Sequence, residues 1–501
     1  MAPSQSALLA AAIAANRFGL GARPDDLPAI AEDPRGWLKS QLTPETELPA
    51  PLQALPSTLE DQLAFLRWLG KLRREGRAAD VDIENQRPGG GTGGAGMEGE
   101  GFSVERSFAA EFGPRLIAAA KARFDTAVTT QRPLFERLVH FWSNHFVVSS
   151  AKPATVAMPP SFERDVARAH AVGRFEDLLL ASTTHPAMLL YLDNVQSVGP
   201  NSAFARDPDP KASRNPLQQR PTGLNENLAR EILELHTVGV NGGYTQADVT
   251  SFAKIITGWG YRAPSLRLVG QAMMPGDLEG RDLFAFDPEK HEPGDHTVMG
   301  KTYPEGGFEQ GRAVLADLAV HPSTARFIAF KLARHFIADD PPPAVVDRMA
   351  LSFRETGGDV RAVMTALIES PEAWTAELAK FKRPEEFLVS TFRAGPGPAL
   401  PGPAVLAIQR EMGQQPYYQP GPDGWADTQD RWMGADAVWK RVEWSIATAR
   451  GLATAARDPA SLAAAVLGPL ASAETLASIA RAESPAQGLA ILLASPEFQR
   501  R

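Results

Sequence analysis

A chain of 501 residues, 44% of them apolar and 22% charged, is long enough to bury a large core and to carry more than one lobe. Its net charge of −8, with no clustered basic patch, argues against a nucleic-acid binder. Without cysteine it forms no disulfides, iron–sulfur clusters or thiolate zinc sites.

The opening MAPSQSALLAAAIAANRFG is apolar but has no positively charged start. Its apolar run is too short to span a bilayer, so it predicts a helix rather than a signal peptide. Localisation stays open. Helical period returns from Leu59 to Arg77, with Leu63, Leu66, Leu69 and Leu72 on one face. Residues 85–101, NQRPGGGTGGAGMEGEG, are so rich in glycine that they predict a disordered loop inside the domain. Another helix follows from Val104 to about Ala127.

Residues 132–148 read RPLFERLVHFWSNHFVV. His140 and His145 lie about 140° apart around a helix, so they are poor joint ligands. His140 shares a face with Asn144. The plain reading is an aromatic core helix of Phe135, Phe141, Trp142 and Phe146 with histidines at its rim. Two histidines, an asparagine and a tryptophan so close together are still unusual for packing alone.

The densest polar stretch runs from Asn225 to Trp259. On a helix, Glu226, Asn227, Arg230, Glu231 and Glu234 share an arc of about 140°. Two readings compete. In one, Arg230 bridges Glu226 and Glu234 on a solvated face. In the other, the carboxylates line a pocket, with Glu231 and Glu234 able to share a metal or a proton. His236 falls on the apolar side and joins them only if the helix unwinds near Thr237, which Gly239 is placed to end. Thr245 and Asp248 carry a capping-box signature for the next helix.

Residues 281–303 predict two short strands around a turn that carries His291 and His296, and loop histidines are acid–base or ligand candidates. An exposed hairpin is the competing reading. From Gly307 the chain is helix after helix, broken at residues 394–403 and by the proline–aromatic loop QPYYQPGPDGW, residues 415–425. No Walker loop, dinucleotide fingerprint, nucleophile elbow or HExxH occurs.

With NRFGLGARP, HFWSNHF, NENLAREILELHTVGVNGGYTQADV with TGW, HEPGDHTVMGKTY, HPSTARFIAFKLARHF, PDGW and SPEFQRR in this order, the chain resembles the bacterial family called domain of unknown function 1800. The resemblance covers almost the whole chain and supplies no reaction. It singles out His140, Asn144, His145, Glu226, Arg230, Glu231, Glu234, His236 and His291; at His296 the family pattern need not have histidine. It also implies frequent export, although no leader is visible here, and a partner from the neighbouring family of unknown function 1501.

The expected architecture is mainly α-helical. Residues 1–393 form a main domain with a loop at 85–101, residues 404–501 a C-terminal helical lobe, and a small β-hairpin sits near 281–303. The leading functional expectation is a hydrolase-type enzyme around one divalent metal. Its ligands would be His140, Glu231 and His291; Glu234 would be the general base, with Arg230 orienting it or binding an anionic substrate, and Glu231 is also a catalytic candidate. The rival is a non-catalytic binding or export-partner protein whose polar cluster is structural.

Overall fold

The computed structural model describes residues 3–75, 98–206, 223–262, 283–395, 397, 399–452 and 458–501. Helix α1 (Gln5–Ile13) starts where the Ser4 hydroxyl accepts the Ala7 N–H, then widens into a π turn over Ala14–Phe18. The widening turns Arg17 inward, where it donates to the carbonyls of Ala373 at 2.7 Å and Thr375 at 2.9 Å. The helix Thr58–Arg74 buries Leu63, Leu69 and Leu72 but leaves Leu66 half-buried.

Helix α2 (Glu98–Thr129) begins earlier than Val104. Residues 98–101 are therefore helical rather than loop, and the rest of the glycine-rich loop predicted at 85–101 lies outside the described residues. Helix α3 (Pro133–His145) is buried on every side. Its aromatics join the core as expected. Its histidines do too: His140 and His145 are 3% and 2% exposed, not at a rim.

Helix α4 (Asn227–Glu231) passes into a second π turn, Ile232–His236. The helix thus ends at Thr237, the condition set for His236 to join the carboxylates, yet His236 stays buried at 2% exposure. Gly239 adopts φ +83° and packs so closely that a Cβ there would lie 2.8 Å from the Phe327 ring, so only glycine fits. Helix α5 (Gln246–Ile255) carries the complete Thr245–Asp248 capping box. Asp248 also accepts the Met299 N–H at 2.6 Å, tying the helix start to a hairpin.

That hairpin corrects one pairing. Strand β1 (Trp259–Tyr261) pairs antiparallel with β2 (Phe284–Phe286), and β3 (His296–Val298) with β4 (Lys301–Tyr303) around its own turn. The predicted single hairpin is two strand pairs. The second turn has Met299 and Gly300 both left-handed, at φ 48° and 79°, the geometry of a two-residue hairpin. The excursion sits where it was expected, in an otherwise mainly α-helical fold.

Helices α6 (Pro322–Phe336), α7 (Pro384–Ala394) and α8 (Ala435–Leu452) complete the frame. Helix α7 is buried along its whole length. One apolar cluster runs from Ala11 through α3 and α6 to Leu492 and Phe498. No described helix is long and apolar enough to cross a membrane.

Glu386 on α7 is buried among three guanidiniums. Arg501 contacts it at 3.0 and 3.1 Å and Arg137 at 3.2 Å, while Arg383 lies at 3.6 Å. Burial opposes its charge, but Arg501, Arg137 and Arg383 outweigh that and hold the carboxyl well below the usual range. Glu386→Gln leaves these cations uncompensated and should destabilise the chain by about 3–5 kcal/mol in urea unfolding at pH 7. A depressed carboxyl stabilises above its unfolded value and withdraws that stability as pH falls. The variant should therefore lose less stability than the wild type on acidification below the carboxylate range.

Candidate functional site

On α3, His140, Ser143 and Asn144 look into a small cleft with a cavity of about 20 Å³, closed by Arg123 of α2, Arg383 and Glu385 at the start of α7, and residues 409–425. His140 belongs to a row of alternating charge. Glu163 pairs with Arg123, and Arg123 grips Glu385 through two bonds of 2.6 and 3.1 Å. Glu385 lies 3.8 Å from the imidazole Nδ1, and Glu136 lies 3.5 Å from its Nε2. Glu136 in turn pairs with Arg168, which reaches Glu45 at 3.3 Å.

Burial works against both carboxylates that flank His140. Arg168 and the imidazole nevertheless hold Glu136 down to about 2. Arg123, His140 and Arg383 hold Glu385 below its ordinary value. The imidazole therefore sits between two carboxylates held in their ionised form. Around it, Arg383 Nε, Gln409 Oε1 and Gln419 Oε1 are buried and make no hydrogen bond. Such atoms are costly to leave unpaired.

The 415–425 loop is stitched to the end of α3. The Asn144 amide donates to the Trp425 carbonyl at 2.9 Å, and its carbonyl accepts the Trp425 N–H at 2.8 Å. A Cβ on Gly424 would lie 2.6 Å from the Asn144 carbonyl oxygen, and the residue has φ +80°. The glycine of PDGW is thus a requirement of close approach. Tyr417 holds an uncommon left-handed backbone at φ 60°. Its carbonyl accepts the Ser150 N–H at 2.7 Å, and its hydroxyl donates to Glu163 at 3.2 Å.

The carboxylates of α4 divide into two groups. Glu226 accepts from Arg230 at 3.0 Å, Gln246 at 2.8 Å and Thr250 at 2.7 Å. The Glu226–Arg230 pair is partly solvated, with side chains 30% and 38% exposed, and such pairs contribute at most about 1 kcal/mol. Arg230 turns to Glu226 and Gln246, while Glu234 accepts from the Tyr244 hydroxyl at 3.2 Å. Glu231 is half-buried. Burial first, then the charges of Glu234 and Asp423, push its carboxyl up to about 7 against the pull of Arg230. Burial and the charges of Glu231 and Asp423 likewise raise Tyr191 to about 12.

His145 and His236 lie behind this face as neutral core groups. Nε2 of His145 donates to the His236 carbonyl at 3.0 Å, leaving Nδ1 to accept from Lys331 at 3.1 Å. Burial and the Lys331 charge push His236 down to about 3. His291 is buried elsewhere, with Nδ1 on the Thr257 carbonyl at 3.2 Å and its ring 5.3 Å from Phe286. His296 stands half-buried on β3.

Among the described residues no three His, Asp or Glu side chains are grouped to hold a metal ion. His140, Glu231 and His291 therefore do not make the expected ligand set: each is committed to different neighbours. What the fold brings together instead is His140, Asn144 and the PDGW loop, with Arg123, Arg383, Glu385, Tyr417, Gln409 and Gln419. Those six carry no spacing relation to His140 in the sequence. The one available signal is the run KRPEEF at 382–387, two bases and two acids around a helix-starting proline.

A family model described as "Protein of unknown function (DUF1800)" matches residues 13–500. No curated protein matches the chain, and no solved structure does. With nearly its whole length matched, the chain belongs to the DUF1800 family.

Proposed function

We propose that the chain is a hydrolase-type enzyme whose acid–base centre is His140 in the α3–α7 cleft. One observation carries this: a titratable imidazole lies between the ionised Glu136 and Glu385, beside buried polar atoms that lack partners. His140 takes the proton of a nucleophile held in the cleft, and the two carboxylates stabilise the imidazolium that forms. The free Nε–H of Arg383 is suited to charge developing on the substrate. No step needs the metal first expected.

Glu231 and Glu234 form a second acid–base pair, which Asp423 couples electrostatically to the 415–425 loop. A carboxyl raised from 4.5 to about 7 costs stability at neutral pH, and such costs are tolerated where a group serves function. In a rival reading the cleft is a structural network and the protein binds a partner, for which the neighbouring family 1501 is the first to try. The tight pairing of Arg123 with Glu163 and Glu385 favours that rival.

Activity decides between them. Against a panel of activated carboxylic esters, phosphoesters and glycosides, the wild type should hydrolyse at least one class. His140→Asn should lower that rate by about 100-fold or more while keeping the fold by circular dichroism. Folded wild type that is inactive on all three classes, with His140→Asn losing stability alone, would leave the structural reading.

The second pair is tested without a substrate. Glu231 binds its proton more tightly folded than unfolded, so its contribution is full below about pH 4.5 and lost as pH rises through 7. Glu231→Gln removes that loss. Urea unfolding should show the variant about 1–2 kcal/mol more stable than wild type at pH 8, discounted for its half exposure, and nearly equal at pH 4.5.

A further inference from the structure

Helix α8 is anchored on one side only. Arg441, Ser445 and Ala449 are buried, and Trp444 packs 5.3 Å from Phe387. The other side leaves Trp439 61% exposed, Ile446 44% and Val438 38%, with Val442 half-buried between them. A bare tryptophan in a continuous apolar stripe is unusual for a surface that stays in water.

The stripe Ala435, Trp439, Val442, Ile446 is spaced by four, three and four residues, the spacing of a helix seam that packs on another helix. Its ends carry opposite charges: Asp436 in the first turn and Arg450 in the last. Asp436 pairs with Lys440 at 2.7 Å yet remains 79% exposed, free to take a second cation. An antiparallel copy of the same helix meets these demands at once. Centred between Val442 and Glu443, it sets Trp439 of each chain on Ile446 of the other, and each Asp436 beside the other's Arg450. Glu443, on the same flank as Asp436, comes nearest its own copy at the two-fold axis, a like-charge approach that limits the strength of the pair.

We propose that this face of α8 binds a second copy of the chain, forming a two-fold dimer through an antiparallel helix pair. The contact is isologous, so it closes on itself and does not propagate. One helix pair is a small interface, so the dimer should be weak, dissociating in a range of about 1–100 μM.

Sedimentation equilibrium of the full chain tests this from sub-micromolar concentrations to about 300 μM, spanning that range. The wild type should pass from monomer to dimer. Trp439→Glu, at an exposed position that leaves the fold intact by circular dichroism, should weaken dimerisation by about 30-fold or more. Asp436→Arg and Arg450→Asp should each weaken it, and the double variant should recover most of the loss because both contacts re-form with charges exchanged. A wild type that stays monomeric throughout would overturn the proposal. So would a dimer indifferent to Trp439→Glu, a charge swap that fails to restore it, or a monomer whose stripe is covered by a different protein.

Discussion

Three guanidiniums converge on one buried carboxylate, Glu386, and the rest of the architecture is arranged to make that tolerable. Two of the cations come from distant parts of the chain, Arg137 from α3 and Arg501 from the closing segment, and the third, Arg383, from the start of α7 itself. Arg137 also donates to the carbonyls of Arg17 at 2.7 Å and Gly19 at 2.9 Å. Arg501 reaches the His335 carbonyl of α6 at 2.8 Å. A single side chain thus ties α1, α3, α6, α7 and the end of the chain. Burying these charges gains little net energy, and breaking one leaves the others exposed to their full desolvation cost.

The neighbouring residue shows how that hub leads to the cleft. Glu385 and Glu386 are successive residues on α7, so their side chains leave the helix about 100° apart. One enters the arginine hub and the other meets Arg123 and His140. A rigid hub behind the cleft keeps Glu385 and the Arg383 guanidinium in fixed positions beside the imidazole, as a site that works by preorganised charge requires.

What could be read from the sequence was local. The Thr245–Asp248 cap, the breaks beside proline and the helix end near Thr237 depend on residues a few positions apart. All three are present. The strand partner of Phe284–Phe286 was misassigned because a three-residue strand gives no register signal, and its true partner at Trp259–Tyr261 lies beyond a long insertion. The rim placement of His140 failed for another reason. Polar residues on α3 suggest a wet face, but Glu136, Arg137, His140 and His145 are buried with partners from distant segments. Glu385 is 245 positions from His140 in the numbering, and nothing in either neighbourhood announces the other.

Ideal-helix angles do not hold along the whole chain. Two residues five apart stand about 140° from each other on an α-helix, which seems to forbid joint action. A π turn closes i to i+5 bonds instead, and places such residues nearly one above the other. Over Glu163–Arg168 the chain forms such a turn. Both its end residues then serve the same row, Glu163 through Arg123 and Arg168 through Glu136. The row that holds His140 is therefore met on both sides by one widened turn, and continues past Arg168 to Glu45. In a regular helix Glu163 and Arg168 would diverge, and Arg123 or Glu136 would lose one of its partners. π turns interrupt helices at a cost in packing and are found mostly where a site needs them. Among the described residues they recur at Ala14–Phe18, Glu163–Arg168 and Ile232–His236, and each turns a charged or polar side chain, Arg17, Arg168 or His236, into the buried interior.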